Sequence, residues 1–276
     1  MKKITLILAG LLFVSLSSNS LTAQEEIKDH LVVPFSDPGR TGTISVDLMN
    51  GGVTITGYEG NDVVIDATTR LKKIEITEQD EKRKGLMRIP VHNTGLTVEE
   101  EKNYMEIDTE SHKNTVDLII QVPKNCNLKV SCLNNGDVLI KNVEGEIEVE
   151  NMNGKITLEN VAGAVVAHAF NKDLLVAMSR VFPDKAMSFS SYNGDIDVTF
   201  PASIKADVKM KTNNGEVYSD FDIQLSKSSR EVTEDNEEGE GKYRVKIDSA
   251  VRGIVNGGGQ EIIFESYNGD IIIRKG

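Results

Sequence analysis

The sequence has no tryptophan, two cysteines and six prolines, and only 5% of its residues are aromatic. Without tryptophan, it lacks the broad ring that would stack on a sugar in a carbohydrate-cleaving cleft. Basic residues are outnumbered, 31 Lys+Arg against 43 Asp+Glu, for a formal charge of −12. Phosphates repel such a chain, and nucleic-acid binding needs clustered Lys and Arg, so nucleic acid is not an expected partner. An anionic membrane face is disfavoured for the same reason. Beyond the first residues no segment approaches the ~20 apolar residues of a membrane helix, so no membrane span is expected. The four histidines, His30, His92, His112 and His168, are scattered. None forms His-x-x-x-His or sits close to a cysteine, so no zinc site is expected. There is no Gly-x-Ser-x-Gly elbow for a nucleophilic serine.

What is present starts with a leader. Lys2 and Lys3 precede an apolar run from Ile4 to Leu16, and Leu21-Thr22-Ala23 ends on a small residue before Gln24. This is the pattern of a secretory signal peptide over residues 1–23, too short to span a bilayer well. No cysteine follows it, so no lipid anchor at the mature N-terminus is expected. Loss of Lys2 and Lys3 makes the mature chain more acidic still. An exported protein invites a disulfide. Cys126 and Cys132, however, alternate with Leu128 and Val130 on one face of a strand. Their Cα atoms would lie roughly 20 Å apart, where a disulfide needs less than about 7 Å.

The rest of the chain alternates with period two, as in Ile44-Val46-Leu48, Val116-Leu118-Ile120-Val122 and Ile196-Val198-Phe200. That is the pattern of half-buried strands. Asn-Gly turns separate the runs. One short helix is predicted from Thr77 to Gly85, where Thr77 and Asp80 resemble a capping box and Glu78–Lys82 and Asp80–Lys84 are spaced i,i+4.

A repeat organises the middle of the chain. Asn142-Val143-Glu144-Gly145 recurs as Asn160-Val161-Ala162-Gly163, and Asn135-Gly136 as Asn153-Gly154, both displaced by 18. A third copy falls at Asn171-Lys172, without the glycine. Later turns lie at Asn193-Gly194, Asn214-Gly215 and Asn268-Gly269. Two folds fit a unit of turn, strand, turn, strand. In a meander each Asn-Gly closes an antiparallel hairpin. In a solenoid equivalent strands stack in parallel, with Val138 beneath Ile156 and Ile147 beneath Val165. In-phase recurrence favours the solenoid, because aligned ladders need equal coil lengths. The expected fold is therefore all-β: a right-handed parallel β-helix-like solenoid with about 18–22 residues per coil. Residues 24–124 are expected to form a more irregular N-terminal β region with the short helix, and residues 125–276 the solenoid repeats. A solvated acidic loop at residues 226–241 interrupts them, carrying Glu231, Glu234, Asp235, Glu237, Glu238 and Glu240.

Several segments together carry a resemblance. They are Gly85-Leu86-Met87-Arg88-Ile89-Pro90, Thr94-Gly95-Leu96-Thr97-Val98, Phe189-Ser190-Ser191-Tyr192-Asn193-Gly194-Asp195, Asn256-Gly257-Gly258-Gly259 and Tyr267-Asn268-Gly269-Asp270. In this order the chain resembles the bacterial putative-adhesin family of β-strand-repeat proteins, domain of unknown function 4097, of the Bacteroidetes type. The resemblance implies an exported β-helix-like solenoid. It brings no catalytic residues.

Each chemical motif has a plainer reading beside it. Asn-Gly-Asp at 135–137, 193–195 and 268–270 resembles calcium-binding turns. The aspartate becomes Lys155 and Glu216 in other copies, and tight turns explain Asn-Gly directly. The acidic loop lacks the Asp-x-Asp-x-Asp-Gly order of a calcium site. Asp195, Asp197 and Asp270 supply carboxylates for glycoside cleavage, but acidic residues on an acidic surface usually only solubilise. Asn256–Gly259 lacks the Gly-Lys-Ser/Thr of a phosphate loop. The expectation is a non-enzymatic protein with no catalytic, metal or cofactor site, exported to the periplasm, outer surface or exterior. It would bind a protein or glycan of the envelope or an external surface. A periplasmic structural or envelope-stress accessory is the alternative, and a carbohydrate-active enzyme the third reading.

Overall fold

A computed structural model describes residues 28–70, 94–109, 114–226, 231–236, 243–248 and 250–276. The expected leader and the expected helix at 77–85 lie outside these residues. The described residues contain strands and no helix. In chain order the strands are β1 (Lys28–Pro34), β2 (Gly42–Asn50), β3 (Val53–Tyr58), β4 (Asp62–Arg70), β5 (Leu96–Glu101), β6 (Tyr104–Thr109), β7 (Thr115–Pro123), β8 (Cys126–Asn134), β9 (Val138–Lys141), β10 (Glu144–Asn151) and β11 (Ile156–Ala169). There follow β12 (Leu174–Val181), β13 (Met187–Ser191), β14 (Ile196–Phe200), β15 (Ala206–Thr212), β16 (Val217–Ser219), β17 (Ile223–Leu225), β18 (Glu231–Asn236), β19 (Tyr243–Asp248), β20 (Val251–Val255), β21 (Gln260–Ser266) and β22 (Ile271–Lys275).

Successive strands alternate between two ladders. One ladder runs β6-β2-β8-β10-β11-β13-β21-β15, and every one of these pairings is parallel. The other runs β7-β3-β9-β11-β12-β14-β22-β16, again all parallel. The 14-residue β11 is long enough to serve both, its first half in the second ladder and its last residues in the first. Val138 pairs with Ile156 and Ile147 with Val165, the stacking that the 18-residue repeat predicts. Antiparallel pairs occur at the ends: β5 on β6, β4 on β7 and β1 on β4, and β20 on β15 and β17 on β20.

Alternation dictates the packing. In β8 the pattern places Cys126, Leu128, Val130 and Cys132 inside, and Lys129 and Ser131 outside. Inward residues of both ladders form one core. Phe189 of the first ladder meets Phe200 of the second edge-on, with ring centroids 6.0 Å apart.

Two features depart from the expected organisation. Coils are not stacked in chain order. The β2–β3 coil lies between β6–β7 and β8–β9, and the β21–β22 coil lies between β13–β14 and β15–β16. The physical gain is burial. Phe264, Ile271 and Ile273 of the last coil are covered by a neighbour on each side instead of standing at an open edge. Second, the stretch expected as an acidic loop at 226–241 contains β18, which pairs antiparallel with β19 in a separate two-stranded sheet. The acidic strand lies in register with one carrying Arg244 and Lys246. Low apolar content favoured reading this segment as a loop, but backbone pairing needs no apolar side chains.

Candidate interaction surface

The Asn-Gly turns line up along one edge of the stack and form a continuous hydrogen-bonded row. Asn214 donates through Nδ2 to Oδ1 of Asn268, Asn268 to Asn193, Asn193 to Asn171, Asn171 to Asn153 and Asn153 to Asn134, at 2.7–2.9 Å. The row follows the spatial order of the coils, not their chain order.

In four of the turns, a polar side chain three residues upstream accepts the glycine N–H. Asn151 serves Gly154, Ser191 Gly194, Ser266 Gly269 and Thr212 Gly215, at 2.9–3.0 Å. In the copy where Lys172 replaces glycine, this position is Ala169, so the acceptor and the glycine are lost together. The turn aspartates are also structural. Oδ1 of Asp137, Asp195 and Asp270 accepts the backbone N–H of Lys155, Asp270 and Glu216 in the next coil, each at 2.8 Å. This explains Glu216: its coil ends the parallel stack, and no further coil needs an acceptor there. Asp197 forms a two-pronged pair with Arg274 at 2.7 and 2.8 Å. The carboxylates considered for sugar cleavage thus hold neighbouring coils together.

Glycine is required where coils approach closely. A Cβ on Gly154 would lie 1.8 Å from the carbonyl oxygen of Gly136. Gly154→Ala is therefore expected to lose about 1–3 kcal/mol of stability through forced backbone shifts, measurable by urea unfolding. Asn256–Gly259 likewise makes a tight turn, with positive φ at Asn256, Gly257 and Gly258.

Beside the asparagines runs an apolar row. The rings of Phe170 and Tyr192 stack with centroids 4.9 Å apart, and those of Tyr192 and Tyr267 at 4.7 Å. These distances equal the strand spacing, so the rings are stacked by the ladder itself. All three are exposed, as is Met152 in the same turn position. Sequence reasoning read these turns one by one. Tyr-Asn at 192–193 and 267–268, with Phe170 before Asn171, was the available signal.

His168 faces outward from β11, as the burial of Val165 and Ala167 requires. Its Nδ1 lies 2.5 Å from Ser190 Oγ, on an open sheet face. Glu150 is in register with His168, but no bond joins them among the described side chains. A nucleophilic serine needs its base held by such a third group. On the opposite edge, a hydrogen bond from Lys124 holds the Glu144 carboxyl below the usual range, with Arg180 adding to the effect.

Cys126 and Cys132 are buried and free. Burial pushes both thiols up to about 12 from an ordinary 9.0. The unfolded chain ionises first as pH rises. Their contribution is therefore complete below pH 9.0 and is lost as pH climbs towards about 12. At neutral pH, alkylation by iodoacetamide is expected to be negligible in the folded protein and complete within minutes in denaturant, as read by intact mass.

Among known families, residues 132–250 match the one described as Toastrack DUF4097, the same domain of unknown function that the sequence motifs resemble. The chain is similar to the crystal structure of a putative cell adhesion protein from Clostridium sporogenes, at 13% identity and a TM-score of 0.47, covering 91% of this chain and 100% of that one. It is also similar to that of a putative adhesin from Bacteroides fragilis, at 13% identity and a TM-score of 0.37, covering 92% and 98%. No curated protein matches. No helix among the described residues is long and apolar enough to cross a membrane.

Proposed function

We propose that this chain, which carries the Toastrack DUF4097 domain, is an exported, non-enzymatic binding protein of the cell envelope or surface. In this reading the two ladders form a right-handed parallel β-helix-like solenoid, with residues 24–124 as its N-terminal part and 125–276 as its repeats. The observation that carries the binding role is the exposed row of Phe170, Tyr192 and Tyr267 beside the asparagine ladder. A row of stacked rings exposed on a folded surface is unusual unless a protein or glycan covers it. The ladder pre-organises these groups, so little side-chain entropy is lost on binding. The engagement of Asp137, Asp195, Asp197 and Asp270 in inter-coil bonds supports a role without catalysis. The leader pattern at residues 1–23 supports export.

Protease treatment of intact cells, followed by a blot, tests location. Loss of the band on intact cells is the expected result for a surface protein. Protection until the outer envelope is opened would instead make it a periplasmic accessory.

A further inference from the structure

Among the described residues each ladder ends in an edge strand at both ends: β5 and β17 in the first, β1 and β16 in the second. An unpaired edge is a template for another chain, so folded proteins blunt it with short strands or charge. Three of these edges are blunted. β16 and β17 have three residues each, with Glu216 and Asp220 flanking β16 and Asp222 preceding β17. β5 carries Glu99, Glu100 and Glu101, and Ser36 crosses it, donating its N–H and hydroxyl to the Glu100 carboxylate. β1 has neither device. It is seven residues long, its middle is Leu31-Val32-Val33, and among the described residues it pairs with β4 alone. Leu31 is 38% exposed and Val32 54%.

We propose that β1 pairs antiparallel with β1 of a second copy of this chain, joining two molecules end to end about a two-fold axis. The sheet at this end is already antiparallel, β4 on β7 and β1 on β4, so one more antiparallel strand continues it. A two-fold centred on Leu31 overlaps the whole of both strands. It sets Leu31 against its own counterpart, His30 against Val32, Asp29 against Val33 and Lys28 against Pro34. No like charges meet, and such a meeting would destabilise a cross-strand pair. Asp29 already accepts from the Thr94 hydroxyl, and His30 Nδ1 lies 2.7 Å from Asp66. On the inner side, Val33 packs against the core and Leu31 stands opposite buried Ile65, so the second copy covers an open end of the core.

Self-pairing also uses this strand best. The competing arrangement lays β1 on β16 of the next copy, where Val217 and Tyr218 are exposed. That edge offers three residues against the seven of β1, so fewer backbone groups find partners. It is also heterologous and has no closed end, whereas a two-fold contact closes on itself. The pairing does not depend on what the aromatic row binds, but it would present that row twice on one particle. Two chains of formal charge −12 repel each other. Raising the salt from about 0.01 M to about 0.15 M shortens the screening length from about 30 Å to about 8 Å. The dimer is therefore expected to tighten several-fold across that range.

Sedimentation velocity of the purified protein over a concentration series is the test. The expected result is a monomer–dimer equilibrium that stops at the dimer, with a Kd on the order of 10 μM. Leu31→Lys places two ammonium groups face to face at the two-fold axis and should weaken the dimer about tenfold or more. Leu31→Glu should do the same with two carboxylates. Mixing the two variants should restore the dimer, because the opposed charges then attract. Restoration also shows that both variants are folded, since an unfolded strand has no edge to offer. A monomer at every concentration, a series that grows beyond the dimer, or dimerisation of Leu31→Lys equal to wild type would overturn the proposal.

Discussion

Removal of residues 256–276 is expected to abolish cooperative unfolding altogether. These residues include β21 and β22, which lie between the β13–β14 and β15–β16 coils. Without them, β15 and β16 lose every parallel partner. Ile262, Phe264, Ile271 and Ile273 are all at most 2% exposed. Each such side chain contributes about 1.5–3 kcal/mol on burial. Together they rival the 5–15 kcal/mol that holds a typical domain folded. Removing β1 makes the contrast, because among the described residues that strand lies at the edge of the second ladder, pairs with β4 alone and is largely exposed. Its loss is expected to lower the Tm by only a few degrees. Circular dichroism melts of the two truncated chains decide the matter. A sharp transition in the chain lacking 256–276 would show that the last coil is an appendage. The family match ends at residue 250, so a fragment cut at that boundary should fail for the same reason.

The middle of this fold was legible because its coils are consecutive. Where Val138, Ile156 and Leu174 follow one another at equal spacing, register can be counted off the sequence. The position of the last coil was not read, although the sequence carries a signal for it. Phe189-Ser190-Ser191-Tyr192-Asn193-Gly194-Asp195-Ile196 and Phe264-Glu265-Ser266-Tyr267-Asn268-Gly269-Asp270-Ile271 differ at one residue, and they are spatial neighbours. Stacked coils share turn chemistry, so the best-matched repeat pair marks adjacency even across a long insertion. At the N-terminal end no such match exists. Only Asn50-Gly51 repeats the turn there, with Asn50 Oδ1 accepting from Asn135 Nδ2 at 3.1 Å, and β2 was placed in the irregular N-terminal region. The interaction surface was half legible. The asparagines stood out as turn formers, but their joining into one row depends on coil order.

Phe264→Ala is expected to destabilise the protein by about 3–5 kcal/mol, the cost of emptying a phenylalanine site in a core that relaxes only partly. Phe264 is fully buried. Its ring stacks on Phe189 at 5.3 Å and meets Phe200 edge-on at 6.3 Å. Three strands from both ladders therefore meet at this ring, and the inserted coil is keyed to the core there. Phe170→Ala provides the control. That ring also stacks on an aromatic neighbour, but it is 39% exposed on the turn edge. Its removal forfeits a ring contact of about 0.5–1.5 kcal/mol and leaves no internal cavity. Guanidinium unfolding of both variants, with the slope held in common, measures the difference. A Phe264→Ala loss no larger than that of Phe170→Ala would mean that the last coil is not part of the shared core. The inserted strand order would then be wrong. A large loss confined to Phe264→Ala would leave the exposed aromatic row with no structural duty that explains its stacking, which is the condition under which a binding role is the better account of it.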